Sequence, residues 1–181
     1  MRFIILLGPK HSGKTSVGKA LALLLSGNSQ LHEFVDLDDY IEQRSGKSPR
    51  ALYIEGQEIF RQAEAEAIEA LFRPEMTPPF SSLVVASGGG LADNPDALAL
   101  LAKHTAVIPV FLDVSAETAW ERIAAAGTLP PFLNTEDPQN THHSLHERRA
   151  AVYRQLASLV IKADGKSPQE IAQEILNSIQ V

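Results

Sequence analysis

The sequence predicts an α/β domain built on a parallel sheet, and three observations carry that prediction. Short apolar runs recur at 3–7, near 33–36, and at 83–86, 107–112 and 159–162. They lack the polar alternation of a half-exposed strand and suit strands buried on both faces. Segments with helical apolar spacing lie between them, at roughly 14–26, 37–45, 56–72, 94–103, 116–125, 145–157 and 168–179. Strands alternating with helices pair in parallel, because each helix carries the chain back to the edge it started from. The third observation is the junction of the first run with the first helix, where Gly8-Pro9-Lys10-His11-Ser12-Gly13-Lys14-Thr15 fills the pattern G-x-x-x-x-G-K-S/T.

That junction is strand, glycine-rich turn and helix, the context in which such a loop cradles phosphate. Phe3-Ile4-Ile5-Leu6-Leu7 stops as it begins, and Val17, Ala20, Leu21 and Leu24 start the helical pattern after it. Backbone N–H groups of the turn and first helical residues converge on one spot, and the helix dipole adds positive potential there. Lys14 is placed to reach β- and γ-phosphates and Thr15 to offer its hydroxyl to magnesium.

The 181 residues suit a single domain with a substantial core. With no cysteine, neither a disulfide framework nor a thiolate metal site is available. A net charge of −6 argues against nucleic acid as the main partner, which requires a basic stripe. It leaves open a small anionic substrate held by a few local cations. No apolar run approaches a membrane span, and the N-terminal one is too short for a secretory signal, so a cytoplasmic protein is expected.

Along the rest of the chain, Asp36-Leu37-Asp38-Asp39 follows the second run. Carboxylates at a strand's carboxyl end beside a phosphate loop can hold magnesium through water and contact the phosphate acceptor. Aspartates also cap helix N-termini, so the residues alone allow either role. In the segment around 56–72, Phe60, Ala63, Ala67 and Leu71 keep core spacing, while Arg61 and Glu64 could form an ordinary i,i+3 pair. A proline-rich loop is expected at 74–82. Ser87-Gly88-Gly89-Gly90 follows the third run, either as a flexible turn or as bare backbone at the ligand edge of the sheet. The long irregular stretch is 126–144, with Pro130, Pro131 and Pro138; a loop of that length in a compact domain commonly serves as a lid. Ser167-Pro168-Gln169-Glu170 opens the last helix as a capping box.

Order and spacing together resemble shikimate kinase over nearly the whole chain. The resemblance rests on the phosphate loop, Asp36-x-Asp38 followed by Ile41-Glu42, and Gly56-x-x-x-Phe60-Arg61-x-x-Glu64. It continues through Ser87-Gly88-Gly89-Gly90, Arg149-x-x-x-Tyr153, Ala163-Asp164-Gly165 and Ser167-Pro168. It implies a three-layer α/β/α P-loop kinase fold with a five-stranded parallel sheet in order 2-3-1-4-5, one domain over 1–181, a mobile lid at about 126–144, and a monomer. The implied activity is ATP-dependent phosphorylation of the 3-hydroxyl of shikimate with magnesium, in aromatic amino-acid biosynthesis. By position, Gly8, Pro9, Lys10, His11, Ser12, Gly13, Lys14, Thr15 and Ser16 match nucleotide-binding residues. Lys14 matches the lysine steadying the β- and γ-phosphates; Thr15 binds magnesium directly and Asp36 through water. Asp38 matches the carboxylate that orients or deprotonates the attacked hydroxyl. Arg61 and Arg149 match the pair gripping the substrate carboxylate, with the glycines Gly88, Gly89 and Gly90 beside it. Arg122 corresponds to an arginine stacking on adenine opposite Ser167 and Pro168. The residues alone read Arg122 and Arg149 as ordinary helix-surface charges.

Three departures from the family pattern stand out. The family's lid arginine is absent: the stretch reads Thr128-Leu129-Pro130-Pro131-Phe132-Leu133, with no arginine from 123 to 147. His11 replaces a glycine, which forces a side chain toward positive φ. Gln57 replaces a glutamate that could pair with Arg61. Candidate substitutes for the missing cation are His11, Lys10, His142 and His143. Two readings compete with the first: a kinase of the same fold for another small hydroxy acid such as gluconate, and a nucleotide-binding module with little catalysis.

Overall fold

The computed structural model describes residues 2–26, 32–73, 82–127 and 129–179. Its strands are β1 (Arg2–Leu7), β2 (His32–Asp36), β3 (Ser82–Ala86), β4 (Val107–Asp113) and β5 (Leu159–Lys162). They form one sheet in the order β2-β3-β1-β4-β5, with every pairing parallel. The helices are α1 (Lys14–Ser26), α2 (Leu37–Ser45), α3 (Pro49–Glu55), α4 (Gln57–Leu71), α5 (Pro95–Lys103), α6 (Ala116–Ala125), α7 (Pro138–Leu156) and α8 (Pro168–Ile179).

Alternation along β1 divides the core in two. Phe3, Ile5 and Leu7 face one side of the sheet, packed with Ile41, Ile68, Leu71, Leu101 and Tyr153 from α2, α4, α5 and α7. Ile4 and Leu6 face the other, packed with Val17 and Leu21 of α1, Ala119 of α6 and Ile171 and Ile175 of α8. From Phe3 to Leu7 neither face of β1 meets water, which is why that run carries no polar residue; only Arg2 at its start is exposed. Each such side chain contributes about 1.5–3 kcal/mol on burial. Because all strands run the same way, the loops after β1, β2 and β3 emerge at one edge, and the site is built there.

Two boundaries differ from the sequence expectation. α3 was not expected: it is only seven residues long with Leu52 as its one buried residue, too little to make a period. Its start signal is local, with the Ser48 side chain accepting from Ala51 N–H at 3.3 Å and proline in the first turn. α7 begins at Pro138, not 145, because Asp137 accepts from Asn140 N–H at 3.0 Å and Pro138 stands in the first turn. Its buried residues include His142, His146 and Arg149, so polar side chains face inward and conceal the helical period. The irregular stretch expected at 126–144 therefore shortens to 126–137 and contains a 3-10 turn at Pro131–Leu133. Thr128, and the loop expected at 74–82 apart from Ser82, lie outside the described residues. Among the described residues no helix is long and apolar enough to cross a membrane.

Candidate active site

The loop between β1 and α1 turns through Gly13 at φ 94, a region that favours glycine. His11 stands at φ 62, the only non-glycine residue at positive φ among those described. Lys14 is buried beneath the loop, its Nζ donating to the carbonyls of Gly8 and Pro9 at 2.9 and 2.8 Å and to Ser12 Oγ at 3.3 Å. Burial lowers its pKa to about 8. The hydrogen-bond partners of this ammonium are neutral dipoles, and the N–H groups of the first turn of α1 have no helical acceptor. Together they form a receptor for an anion.

Thr15 Oγ1 donates to Asp36 Oδ2 at 2.8 Å, while Asp36 Oδ1 accepts from Asp38 N–H at 3.2 Å as the N-cap of α2. One aspartate thus does both jobs its position allows: one oxygen caps, the other reaches the phosphate loop. A hydroxyl and a carboxylate oxygen suit magnesium, which retains waters and takes phosphate oxygens, and so needs only one or two protein ligands. Among the described residues there is no cage of three or more His, Cys, Asp or Glu side chains.

Glu64 is buried, and one of its oxygens accepts from Asn94 Nδ2 at 2.9 Å. The same Asn94 nitrogen donates to the Arg61 carbonyl at 2.8 Å, and Asn94 Oδ1 caps α5. The Arg61–Glu64 pair that the spacing allows does not form; Arg61 lies 3.5 Å from Glu58 on the preceding turn. Glu64 Oε1 and Asp38 Oδ1 are buried without hydrogen-bond partners. A methyl group on Gly88 would stand 3.0 Å from the first and 3.2 Å from the second, so both oxygens converge beside this glycine. Burial raises the Glu64 carboxyl to about 7; burial, then the charge of Asp36, raises Asp38. Two desolvated acceptors aimed at one volume are what a polyhydroxylated ligand requires.

The glycine turn after β3 lies against the phosphate loop: a Cβ on Gly89 would fall 2.7 Å from the Lys10 nitrogen. The Gly89 carbonyl accepts from Tyr153 Oη at 3.1 Å, and that hydroxyl accepts from Ala92 N–H at 3.2 Å. Arg149 reaches the same turn from α7 and pairs with Asp93 at 2.7 Å. Arg61, Arg149, Lys10, Lys14, Asp38 and Glu64 all line one cavity of about 890 Å³, with Leu129, Pro130 and Phe132 on the lid side. Arg122 lines it too, beside Lys166 and Pro168, and donates Nη1 to the His11 carbonyl at 2.9 Å, bracing the phosphate loop. Ser167 is off the cavity wall; its hydroxyl and N–H each lie 2.7 Å from Glu170 Oε2 in the expected capping box. Gly8 and Pro9 are likewise off the wall and act through their carbonyls on Lys14.

Of the histidines offered as substitutes for the lid cation, two stand away from the cavity. His142 is buried against Trp120 and His146, and burial lowers its pKa to about 4. His143 lies 3.5 Å from Glu117, and neither His142 nor His143 reaches the cavity. His11 does, and burial and then the charges of Lys10, Lys14 and Arg122 lower its pKa. Lys10, the other candidate named from sequence, lines the cavity, as does Arg50. Glu64, Asp93, Asn94, Arg50, Tyr53 and Phe132 were not assigned site roles from sequence. Glu64 stands inside the Gly56-x-x-x-Phe60-Arg61-x-x-Glu64 motif, whereas Asn94 reads only as a helix start and Asp93 carries no sequence signal.

A family model described as shikimate kinase matches residues 10–180. The chain belongs to the shikimate kinase family. The shikimate kinase of a Sulfurihydrogenibium species is 36% identical over 181 residues, covering 99% of each chain. That of Halorhodospira halophila is 34% identical over 178 residues, 98% of this chain and 93% of its own. Among solved structures, the shikimate kinase of Acinetobacter baumannii in complex with shikimate superposes with a TM-score of 0.83 at 29% identity, covering 99% of this chain and 93% of that one. The Bacteroides thetaiotaomicron shikimate kinase gives 0.80 at 25% identity, covering 99% of both. As a member of the family the chain is a phosphotransferase, phosphorylating shikimate with ATP.

Proposed function

We propose that the 3-hydroxyl of shikimate is phosphorylated beside Gly88, with the residues of the cavity in the following roles. The observation carrying this reading is the convergence of Asp38 Oδ1 and Glu64 Oε1, both without partners, in the same cavity as Lys14, Arg61 and Arg149. Ring hydroxyls donate to the two carboxylate oxygens, and Asp38 takes the proton of the attacking hydroxyl. Its raised pKa favours that acceptance over a fully solvated carboxylate. Arg61 and Arg149 grip the substrate carboxylate together, since planar guanidiniums present directed donors in a fixed fork that lysine cannot. The β- and γ-phosphates rest on the N–H groups of Gly13 to Ser16, and Lys14 leaves its loop carbonyls to meet the charge that develops in transfer. Thr15 and Asp36 hold magnesium, which supplies charge neutralisation between the phosphates when bound. Arg122 and Pro168 flank the adenine. The enzyme works as a single-domain cytoplasmic monomer, without nucleic acid or membrane.

The test is ADP release on Mg-ATP with shikimate, quinate and gluconate offered in turn. Turnover confined to shikimate is expected. Turnover with gluconate instead would assign another hydroxy acid, and nucleotide binding without turnover a non-catalytic module. Arg61→Ala should raise the shikimate KM at least tenfold and leave ATP affinity nearly unchanged, as expected for loss of a charge-assisted pair worth roughly 1.5–3 kcal/mol. Equal loss of both affinities would mark Arg61 as structural.

A further inference from the structure

Arg149 enters the cavity already held on one side. Its Nε and Nη2 both donate to Asp93 Oδ2, at 3.1 and 2.7 Å, and its guanidinium carbon lies 5.1 Å from the Phe132 ring centroid. Nη1 has a single long contact, 3.4 Å to the Gly89 carbonyl. Asp93 is itself fixed: it closes the 3-10 turn Leu91–Asp93 after the glycines, and its N–H donates to the Gly90 carbonyl at 2.9 Å. Its second oxygen stands 2.8 Å from Arg148 Nη1. Partial burial pushes the Asp93 carboxyl up, but the hydrogen bonds of Arg149 and Arg148 outweigh that and hold it below the ordinary value.

We propose that Asp93 is a positioning residue for substrate binding: it anchors the Nε–Nη2 side of Arg149 and leaves Nη1 as the donor a substrate carboxylate takes up. The inference rests on the reading of Arg149 given above and names what sets its geometry. A guanidinium is a rigid fork of donors, so fixing one edge fixes the direction of the other. A long, flexible side chain anchored in this way loses less freedom when ligand arrives. The charge arithmetic agrees. Two arginines share one aspartate, so the cluster stays net positive toward an incoming anion. The face-on contact with Phe132 ties the same guanidinium to the lid segment, so the anchored rotamer is also the one the lid packs on.

The experiment is calorimetric titration of shikimate, and separately of ATP, into the full-length enzyme, Asp93→Ala, Asp93→Asn and Arg149→Ala. Arg149→Ala should lose shikimate binding. Asp93→Ala should weaken shikimate about tenfold, the scale of one charge-assisted hydrogen bond, with ATP affinity unchanged and the kinetic loss larger in KM than in kcat. Asp93→Asn, which keeps an acceptor oxygen in the same place and is the gentler change for folding, should recover most of the affinity. Unchanged or tighter shikimate binding by Asp93→Ala, with Arg149→Ala inactive in binding, overturns the positioning role alone and makes Asp93 a bystander or a competitor of the substrate. Asp93→Asn as weak as Asp93→Ala overturns it too, by assigning the effect to charge. Parallel loss of ATP affinity in Asp93→Ala assigns a structural role and overturns it as well. Wild-type shikimate affinity in Arg149→Ala overturns the reading of Arg149 on which the inference rests.

Discussion

Lys14 spends its charge on two carbonyls and a hydroxyl of its own loop, and burial lowers its pKa to about 8. The ammonium is present below that value and lost above it, so nucleotide affinity should fall as pH rises through about 8, measurable by titrating ATP between pH 7 and 9.5. Lys14→Ala should lower kcat/KM at least about 100-fold, the scale of removing one preorganised electrostatic donor. At His11 the expected positive φ is present, at 62°. A left-handed side-chain residue costs roughly 1–2 kcal/mol, partly offset by the chain entropy of glycine. His11→Gly should therefore gain about 1 kcal/mol and roughly 2–4 °C in Tm, and because burial and the neighbouring cations disfavour the imidazolium, the pH–rate profile should stay unchanged. At this scale the sequence showed which side chains to suspect and not what state they are in. Asp36, Asp38, Arg61 and Glu64 were visible as a pattern. That Glu64 is a desolvated acceptor bonded to Asn94, thirty positions on and at the N-cap of another helix, is a tertiary fact with no local trace.

The elements most poorly read from sequence are those whose buried face is polar. In α7 the inward residues include His142, His146 and Arg149, and Nδ1 of both histidines is buried without a hydrogen-bond partner. The fold thus favours neutral histidine. With an ordinary value of 6.5 and a folded value of about 4 for His142, the unfolded chain takes up the proton first as pH falls, so stability is lost progressively from 6.5 down to about 4. Urea unfolding at pH 7.5 and 4.5 should show that loss, and His142→Leu should reduce it. Strands β1 and β3 were legible because burial on both faces makes their runs apolar, and the edge strands β2 and β5 by their shorter apolar stretches; α3 was not, because seven residues with one buried side chain carry no period. Tyr153 shows the opposite case, where a motif residue acts by tying elements together. Its hydroxyl joins Ala92 N–H to the Gly89 carbonyl, so Tyr153→Phe should cost about 1–3 kcal/mol and lower Tm, by leaving the buried Ala92 N–H unpaired.

For the molecule as a whole, the order β2-β3-β1-β4-β5 came from family likeness, since periodicity supplies strands and helices but not their sequence across the sheet. Mass action gives a global check on the site: Mg-ATP at 100 times its Kd stabilises by about 2.7 kcal/mol, a rise of roughly 5–11 °C in Tm for a chain of this size. Sedimentation should return a species near 19.7 kDa, with and without ligand. One helix links the chemistry to the bulk of the protein. The turn of α1 that receives phosphate continues into Val17, Leu21 and Ala22, wedged against Ile171, Ala172 and Ile175 of α8. Nucleotide arriving at one end of that wedge restrains it along its length, so slowed amide deuteration should extend beyond the loop and past Pro168 into the later turns of the C-terminal helix, around Ile175.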